Sequence, residues 1–357
     1  MGQGLRQFRS RPRSKWHRNA LVDVTVQTDF VRDRQVHRQV VVSAAVDLAQ
    51  YKGKRVLVTG VTGWVAGPIA EGLATAGATV FGASRFAKPE QRTEWEGKGV
   101  TPVSVDLEQG RFDEVPADLD FVLHFAVSKT SDFEQAFAAN AEGSAALMEV
   151  AASRSNKLAA FLHCSSTAVY EPKDHEPRKE TDLLGDSHRP MPGMPTYSIS
   201  KIAGEVLVRY TAKRLGVPTV VARLNVPYGD AYGWMLFHLM MMERDIPVPV
   251  HVNQPTSYTP IHADDINRSI PYLLSTASTP ANVINWGGDE VAGIEDWCEE
   301  MGQLTGLVPK YNPTTATIAA IIPNLEKLHA TGFRSQVGWR EGIRRLVTTC
   351  RPDLLKK

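Results

Sequence analysis

Cysteine is scarce. Cys164, Cys298 and Cys350 stand far apart, with no CxxC and no Cys/His pair at metal-ligand spacing. That argues against a disulfide framework and a zinc site, and no metal is expected. An odd number of scattered thiols suits a reducing compartment. Long apolar runs are missing too: "WMLFHLMMM", residues 234–242, is about half of a membrane span. The expectation is a cytoplasmic protein without a membrane partner. Charge of one sign is also lacking, since 22% charged residues balance to a net +1. Such a chain has no field to draw in nucleic acid or acidic lipid. There is no internal repeat and no low-complexity tract.

The small charge is unevenly placed. Residues 1–40 hold nine Lys and Arg against three Asp, so the remainder carries 31 basic and 36 acidic groups. This N-terminus has no apolar h-region, which argues against a secretory signal. Arg-rich and free of acids up to Asp23, it has the outline of an organellar transit peptide. The simpler expectation for residues 1–45 is a solvated, poorly ordered tail, or upstream sequence read through from a misplaced start codon.

What is present is an alternation. From residue 54 the short β-branched runs "RVLVT", "ATVFGAS", "TPVSVD", "DFVLHFAV", "LAAFLHCSS" and "PTVVARLN" are separated mostly by stretches of helical period, such as 64–76, 133–154 and 197–215. Near-continuous apolar strands between helices indicate a parallel sheet covered on both faces, hence a doubly wound α/β (Rossmann) fold. After Asn225 the rhythm loosens into a Met-rich helix (232–244), a Pro-rich link and later helices. The expected division is a nucleotide-binding domain over 46–225, with 258–290 returning to it. A smaller C-terminal α+β substrate domain takes 226–257 and 291–357.

"KRVLVTGVTGWVAGPIAEGLATAGATVFGASR" reads as strand, glycine-rich turn, helix and second strand. Gly60 and Gly63 allow a tight turn and the approach of a pyrophosphate to a helix N-terminus, whose N–H groups favour anions. Thr62, Trp64 and Val65 complete that turn, and Ala66 supplies the small third position. At the end of the second strand an NAD-selective site usually places a carboxylate for the ribose hydroxyl. Here stand Ser84 and Arg85, a hydroxyl and a guanidinium suited to a 2′-phosphate. NADP is therefore expected, with NAD as the alternative.

Further along, "YSISK" places Tyr197 and Lys201 four residues apart, on one face of a helix. Together with "TGVTGWVAG" (59–67), "VDLEQ" (105–109), "DFVLHFAV" (120–127), "NAEGSAALMEVA" (140–151), "SSTAVY" (165–170), "ETDLL" (180–184), "IHADDI" (261–266) and "GFRSQVGWREGI" (332–343), it resembles the extended short-chain dehydrogenase/reductases, the NAD-dependent epimerase/dehydratase family. The resemblance runs from about Lys54 to Leu346.

It implies Tyr197 as general acid/base, Lys201 as the residue tuning it and holding the nicotinamide ribose, and Ser166 as the hydroxyl fixing the substrate oxygen. It further implies that Asp106 and Leu107 flank the adenine, and that the backbone at Phe125 and Ala126 lines the cofactor. Asn140 would order a water or the active-site helix, or serve as a structural cap. A homodimer is expected, since the family often pairs through the helices at 133–154 and 197–215. The physics agrees for the pair: a phenol with pKa near ~10 needs nearby positive charge to work as a base at neutral pH.

Two departures bear on substrate. In "RLNVPYG" (223–229) the asparagine stands one place earlier than the family's pattern and a proline is inserted. Before "HADD", where sugar-nucleotide members carry an arginine for the diphosphate, this chain has Tyr258. The active serine is followed by Thr167-Ala168 rather than the Asp-Glu of 4,6-dehydratases, which disfavours elimination. The preferred reading is an NADP-dependent oxidoreductase acting on a carbonyl or secondary alcohol of a small to medium, largely apolar molecule. The alternatives are a nucleotide-sugar epimerase or reductase with bound NAD, and a non-catalytic NADP-binding sensor or scaffold. The segment 171–192 is expected to be a lid, with His175 and His188 solvated and outside the catalytic set.

Overall fold

The structure is a computed structural model and describes residues 48–156 and 158–356; the basic segment 1–45 lies outside the described residues. Among these, seven strands form one sheet: β1 (Arg55–Thr59), β2 (Thr79–Ser84), β3 (Val100–Ser104), β4 (Phe121–His124), β5 (Ala160–Ser166), β6 (Thr219–Leu224) and β7 (Asn282–Trp286). Their order is β7-β6-β5-β4-β1-β2-β3, and every neighbouring pair is parallel. The chain reverses direction across the sheet between β1 and β4, and the C-terminal ends of these strands open the crevice where a doubly wound sheet binds its ligand.

Both faces are covered, which is why the strands read as unbroken apolar runs. Val56 and Val58 pack with Ile69 and Leu73 of α1 (Ala66–Thr75), while Leu57 between them packs on the other face with Val122, Leu147 and Phe161. This is the two-residue alternation of a strand. In β6 all six residues are buried.

The expected helix over 133–154 is interrupted. Phe133–Phe137 (α2) runs into a π turn, Ala138–Glu142, and then Gly143–Ser153 (α3). The turn packs close to its neighbours: a Cβ on Gly204 would lie 2.5 Å from the Asn140 carbonyl oxygen, and one on Gly143 would lie 2.5 Å from that of Leu107. Single π turns of this kind recur at functional sites. The long helix Tyr197–Leu215 (α4) lies against it and ends on Gly216, at φ 69°.

After β6 a third apolar cluster forms from Tyr228, Met235, Leu239, Met242, Tyr258, Trp297, Ile343 and Leu346, among others. The helix Trp234–Glu243 (α5) buries Met235, His238, Leu239 and Met242, a stripe at i, i+3, i+4 and i+7. Three two-stranded pairings stitch this part together, among them Pro227–Tyr228 with Ile261–His262. None of the described helices is long and apolar enough to cross a membrane.

Candidate active site

The glycine-rich turn joins β1 to α1. Gly60 has φ 72°, and a Cβ there would sit 2.9 Å from the backbone N and Cα of Ala126. Gly63 donates its N–H to the Gly60 carbonyl at 2.8 Å, and a Cβ on Gly67 would meet Val61 O at 3.1 Å and the Trp95 ring at 3.2 Å. Only glycine leaves this cradle open. The first turn of α1 has no side-chain cap, so N–H groups at Trp64–Ala66 are left for an anion. The residues present thus fit a dinucleotide pyrophosphate.

The remaining cofactor candidates surround that turn. Ser84 ends β2, with its hydroxyl 3.2 Å from Thr62 Oγ1, and Arg85 beside it is exposed. Asp106 follows β3; its carboxyl is held below the usual range because backbone N–H of Gln109 and the Arg111 guanidinium, 3.1 Å away, outweigh its burial. Leu107 packs against Gly143. The N–H groups of Phe125 and Ala126 both donate to Thr59 Oγ1 at 3.1 Å, which fixes the loop after β4. The Trp64 ring stacks on Tyr232 at 6.0 Å and touches Phe237, so the turn is tied to the segment that opens α5.

The three catalytic candidates converge where β5 meets the start of α4. Ser166 ends β5 and its hydroxyl accepts the Ala168 N–H at 3.2 Å. Burial pushes the Tyr197 phenol up to about 12, against a hydrogen bond with Ser166 that works the other way. Lys201 is 3% exposed and donates to the Cys164 carbonyl at 2.6 Å. Burial lowers its pKa, and it is not among the groups that move Tyr197. Lys201 thus sits one helical turn from Tyr197 with its ammonium turned to the Cys164 carbonyl.

A polar network supports the site from below. Ser144 Oγ donates to the Asn140 carbonyl at 2.8 Å, so it accepts from His124 Nε2 at 2.8 Å; His124 Nδ1 then accepts from Thr59 Oγ1 at 2.7 Å. Each hydroxyl therefore has one assignment, and burial keeps His124 neutral, with its pKa pushed down to about 3. Asn140 clamps the loop after β4 to α4 through Ser128 N, Ser128 O and Ser200 Oγ. Next to Lys201, Glu205 and Arg223 form a buried pair at 2.9 and 2.7 Å, and Ser165 donates to the same carboxylate.

Asn225 is fully engaged: it donates to Thr167 Oγ1 at 2.7 Å and to Ile321 O, and accepts Thr259 N–H at 2.8 Å. Its early position in "RLNVPYG" makes it a cross-link between loops. Tyr258 is buried and donates to Ile318 O. His175 is exposed, as expected, but His188 is not. It is 3% exposed, and its ring lies 4.7 Å from that of Tyr197. The expectation that His188 is solvated fails because Ser187 and, from the first turn of α4, Ser198 hold its ring against that helix. No sequence signal marked it, since the spacing to Tyr197 matches no motif.

The profile of the NAD-dependent epimerase/dehydratase family matches residues 56–286. The chain belongs to that family. Its members include enzymes of Arabidopsis thaliana described as trifunctional UDP-glucose 4,6-dehydratase/UDP-4-keto-6-deoxy-D-glucose 3,5-epimerase/UDP-4-keto-L-rhamnose-reductase. One is 22% identical over 328 residues, 84% of this chain and 48% of that protein. The chain spans about half the length of the curated relatives it matches. Among solved structures, MoeE5 in complex with UDP-glucose and NAD superposes with a TM-score of 0.70 at 19% identity, over 85% of this chain and 100% of that one. The UDP-glucose 4-epimerase of Thermotoga maritima gives 0.69 at 18%, over 84% and 99%. These likenesses carry the family's fold, and membership makes this chain an NAD-dependent enzyme of the epimerase/dehydratase type.

Proposed function

We propose that the protein transfers hydride between a nicotinamide dinucleotide and a secondary alcohol or carbonyl of a nucleotide sugar, as an epimerase or reductase. The observation that carries the chemistry is the convergence of Ser166, Tyr197 and Lys201 at the C-terminal end of β5. Bound nicotinamide supplies the hydride donor or acceptor. Tyr197, held as a protonated phenol by burial, is in the form that delivers a proton to a carbonyl oxygen as it becomes an alkoxide. Ser166 orients that oxygen. Lys201 keeps two further N–H donors after bonding Cys164 O, enough for a ribose diol.

The nucleotide-sugar substrate is favoured by the relatives and structural neighbours, which bear on UDP-sugars, over the largely apolar substrate expected from sequence. Elimination is disfavoured: Thr167 is tied to Asn225 and no carboxylate follows Ser166. The cofactor preference proposed is NADP, on Ser84 and Arg85, although MoeE5 is in complex with NAD.

One observation supports a second reading, an apolar carbonyl substrate. Tyr258, which stands where the resemblance implies an arginine for the diphosphate, is buried, and Arg268, Lys310, Arg345 and Arg351 of the C-terminal part are already ion-paired. A diphosphate wants charge-assisted partners.

The test combines thermal shift with turnover. NADPH, NADH and UDP-glucose are compared as stabilisers, and wild type is compared with Tyr197→Phe. The proposal expects stabilisation by UDP-glucose on top of cofactor, and a Tyr197→Phe variant that binds cofactor while turnover falls roughly 10²–10⁴-fold. No shift with UDP-glucose alongside reduction of apolar ketones transfers the conclusion to the second reading. Tight cofactor binding without turnover of any substrate points to the sensor.

A further inference from the structure

Segment 171–192 exposes most of its side chains, but Arg178, Ser187 and His188 are buried. Arg178 is accounted for by backbone pairing with Ile322 and Asn324 and by Asp174. His188 makes one backbone bond, accepting from Met191 N–H at 2.9 Å, and neither that bond nor an ion pair explains its ring. Its Nδ1 lies 2.8 Å from Ser198 Oγ and 3.3 Å from Ser187 Oγ. Both serine hydroxyls have the Ala168 carbonyl oxygen within reach, at 2.7 and 2.9 Å, and that oxygen has two lone pairs. The shorter contact of Ser198 Oγ is to Ala168 O, 2.7 Å against 2.8 Å to the ring, so its proton is assigned there; Ser198 Oγ then accepts, and Nδ1 carries the ring's hydrogen. Nε2 is then a bare lone pair at the opposite edge of the ring. It has no hydrogen-bond partner among the described residues, and it is not sealed from solvent as both nitrogens of His163 are. That edge belongs to a ring lying 4.7 Å from, and tilted 45° to, the phenol that handles the proton.

A histidine kept only to fill space would have no use for a serine pair that sets its tautomer. We propose that His188 contacts the substrate: its Nε2 accepts a hydrogen bond from a hydroxyl neighbouring the reacting carbon, and thereby selects hydroxylated over plain carbonyl compounds. The inference rests on the hydride-transfer reading and specifies its substrate as a polyol-like molecule at that centre. Burial, aided by the charge of Lys129, holds the ring neutral with a pKa of about 4, so the acceptor persists at working pH.

The test uses the full chain with NAD(P)H and two ketones differing by one group, 2-hydroxycyclohexanone and cyclohexanone. The readout is the ratio of their kcat/KM values. Wild type is expected to prefer the hydroxyketone. His188→Phe keeps a ring against Tyr197 and leaves both serines bonded to Ala168 O, and it should shrink the ratio by about 10- to 100-fold. His188→Gln, whose amide oxygen can stand in for Nε2, should restore most of it. If the Phe variant does not fold, Ser198→Ala takes its place, because freeing Nδ1 lets the tautomer invert and should also lower the ratio. A ratio that survives these variants, no preference in the wild type, or Gln behaving as Phe overturns the assignment of His188. A wild type that binds NAD(P)H and reduces neither ketone overturns this inference alone, because the hydride-transfer reading is decided by turnover of UDP-glucose in wild type against Tyr197→Phe.

Discussion

Two glycines with the same backbone strain and different surroundings separate what the cofactor turn needs from what any left-handed residue needs. Gly53 and Gly60 have φ 73° and 72°. A Cβ on Gly53 would meet nothing within 4 Å; on Gly60 it would lie 2.9 Å from Ala126 N and Cα. In Gly53→Ala the left-handed conformation costs about 1–2 kcal/mol, offset by about 0.4–1 kcal/mol from the stiffer unfolded chain. The net is ~1 kcal/mol. In Gly60→Ala the same strain applies, and the loop at Phe125–Ala126 must also move. Thr59 Oγ1 anchors that loop, so displacing it adds about 1–3 kcal/mol, as overpacking does.

An unfolding entropy near 2.1 cal/mol/K per residue over roughly 300 residues makes 1 kcal/mol worth about 1.5 °C. The expected losses in Tm are then about 1–2 °C for Gly53→Ala and about 3–6 °C for Gly60→Ala. On the proposed cofactor site, of which this loop is one wall, Gly60→Ala should also weaken NADPH or NADH binding at least ~10-fold, equal to 1.4 kcal/mol, with Gly53→Ala unaffected. Thermal unfolding and a fluorescence titration of the reduced cofactor measure both. Equal Tm and equal Kd for the two variants would refute the assignment of this turn.

Three further outcomes follow from buried charge and the cofactor edge. Glu205→Ala leaves the Arg223 guanidinium, 2% exposed, without its counter-ion and should cost about 3–5 kcal/mol, or roughly 5–8 °C in Tm. Replacing both partners, as Glu205→Leu with Arg223→Met, should recover most of that loss; a double variant no better than the single one would show that charge is not the cause. Burial depresses His124 and His238 to about 3 and His188 to about 4. Below pH ~6.5 the unfolded chain takes up protons that the native state does not, so each histidine removes up to about 1.4 kcal/mol of stability per pH unit until its folded pKa is reached. Tm should fall steadily from pH 6.5 to pH 5, and a flat profile there contradicts the burial of these rings. Arg85→Ala should raise the KM for NADPH and leave that for NADH little changed; equal effects on both would remove the basis for preferring NADP.

The chemistry-bearing stretches were legible because each is local. Gly60, Gly63 and the β1–α1 transition are one contiguous stretch, and Tyr197 and Lys201 share a helical face by spacing alone. The six strands before Asn225 showed as β-branched runs because a doubly wound sheet buries both faces. The rest depended on contacts between distant segments. Nothing in "NAEGS" marks a π turn; it accompanies the close approach of Gly204 and Gly143 to neighbouring carbonyls. Asn225 looked like a displaced substrate contact until its three partners, from residues 167, 259 and 321, were in place.

By itself, then, the sequence determined the fold class, and it marked the glycine-rich turn and the Tyr197–Lys201 pair as candidates, since short-range spacing and burial pattern carry all three signals. Only the tertiary structure decided the state of those groups. It turned Lys201 toward Cys164, buried Tyr197 so that its phenol stays protonated, and inserted His188 beside it. Protonation and hydrogen-bond direction depend on desolvation and on which partners lie within about 3 Å, and folding alone sets those distances.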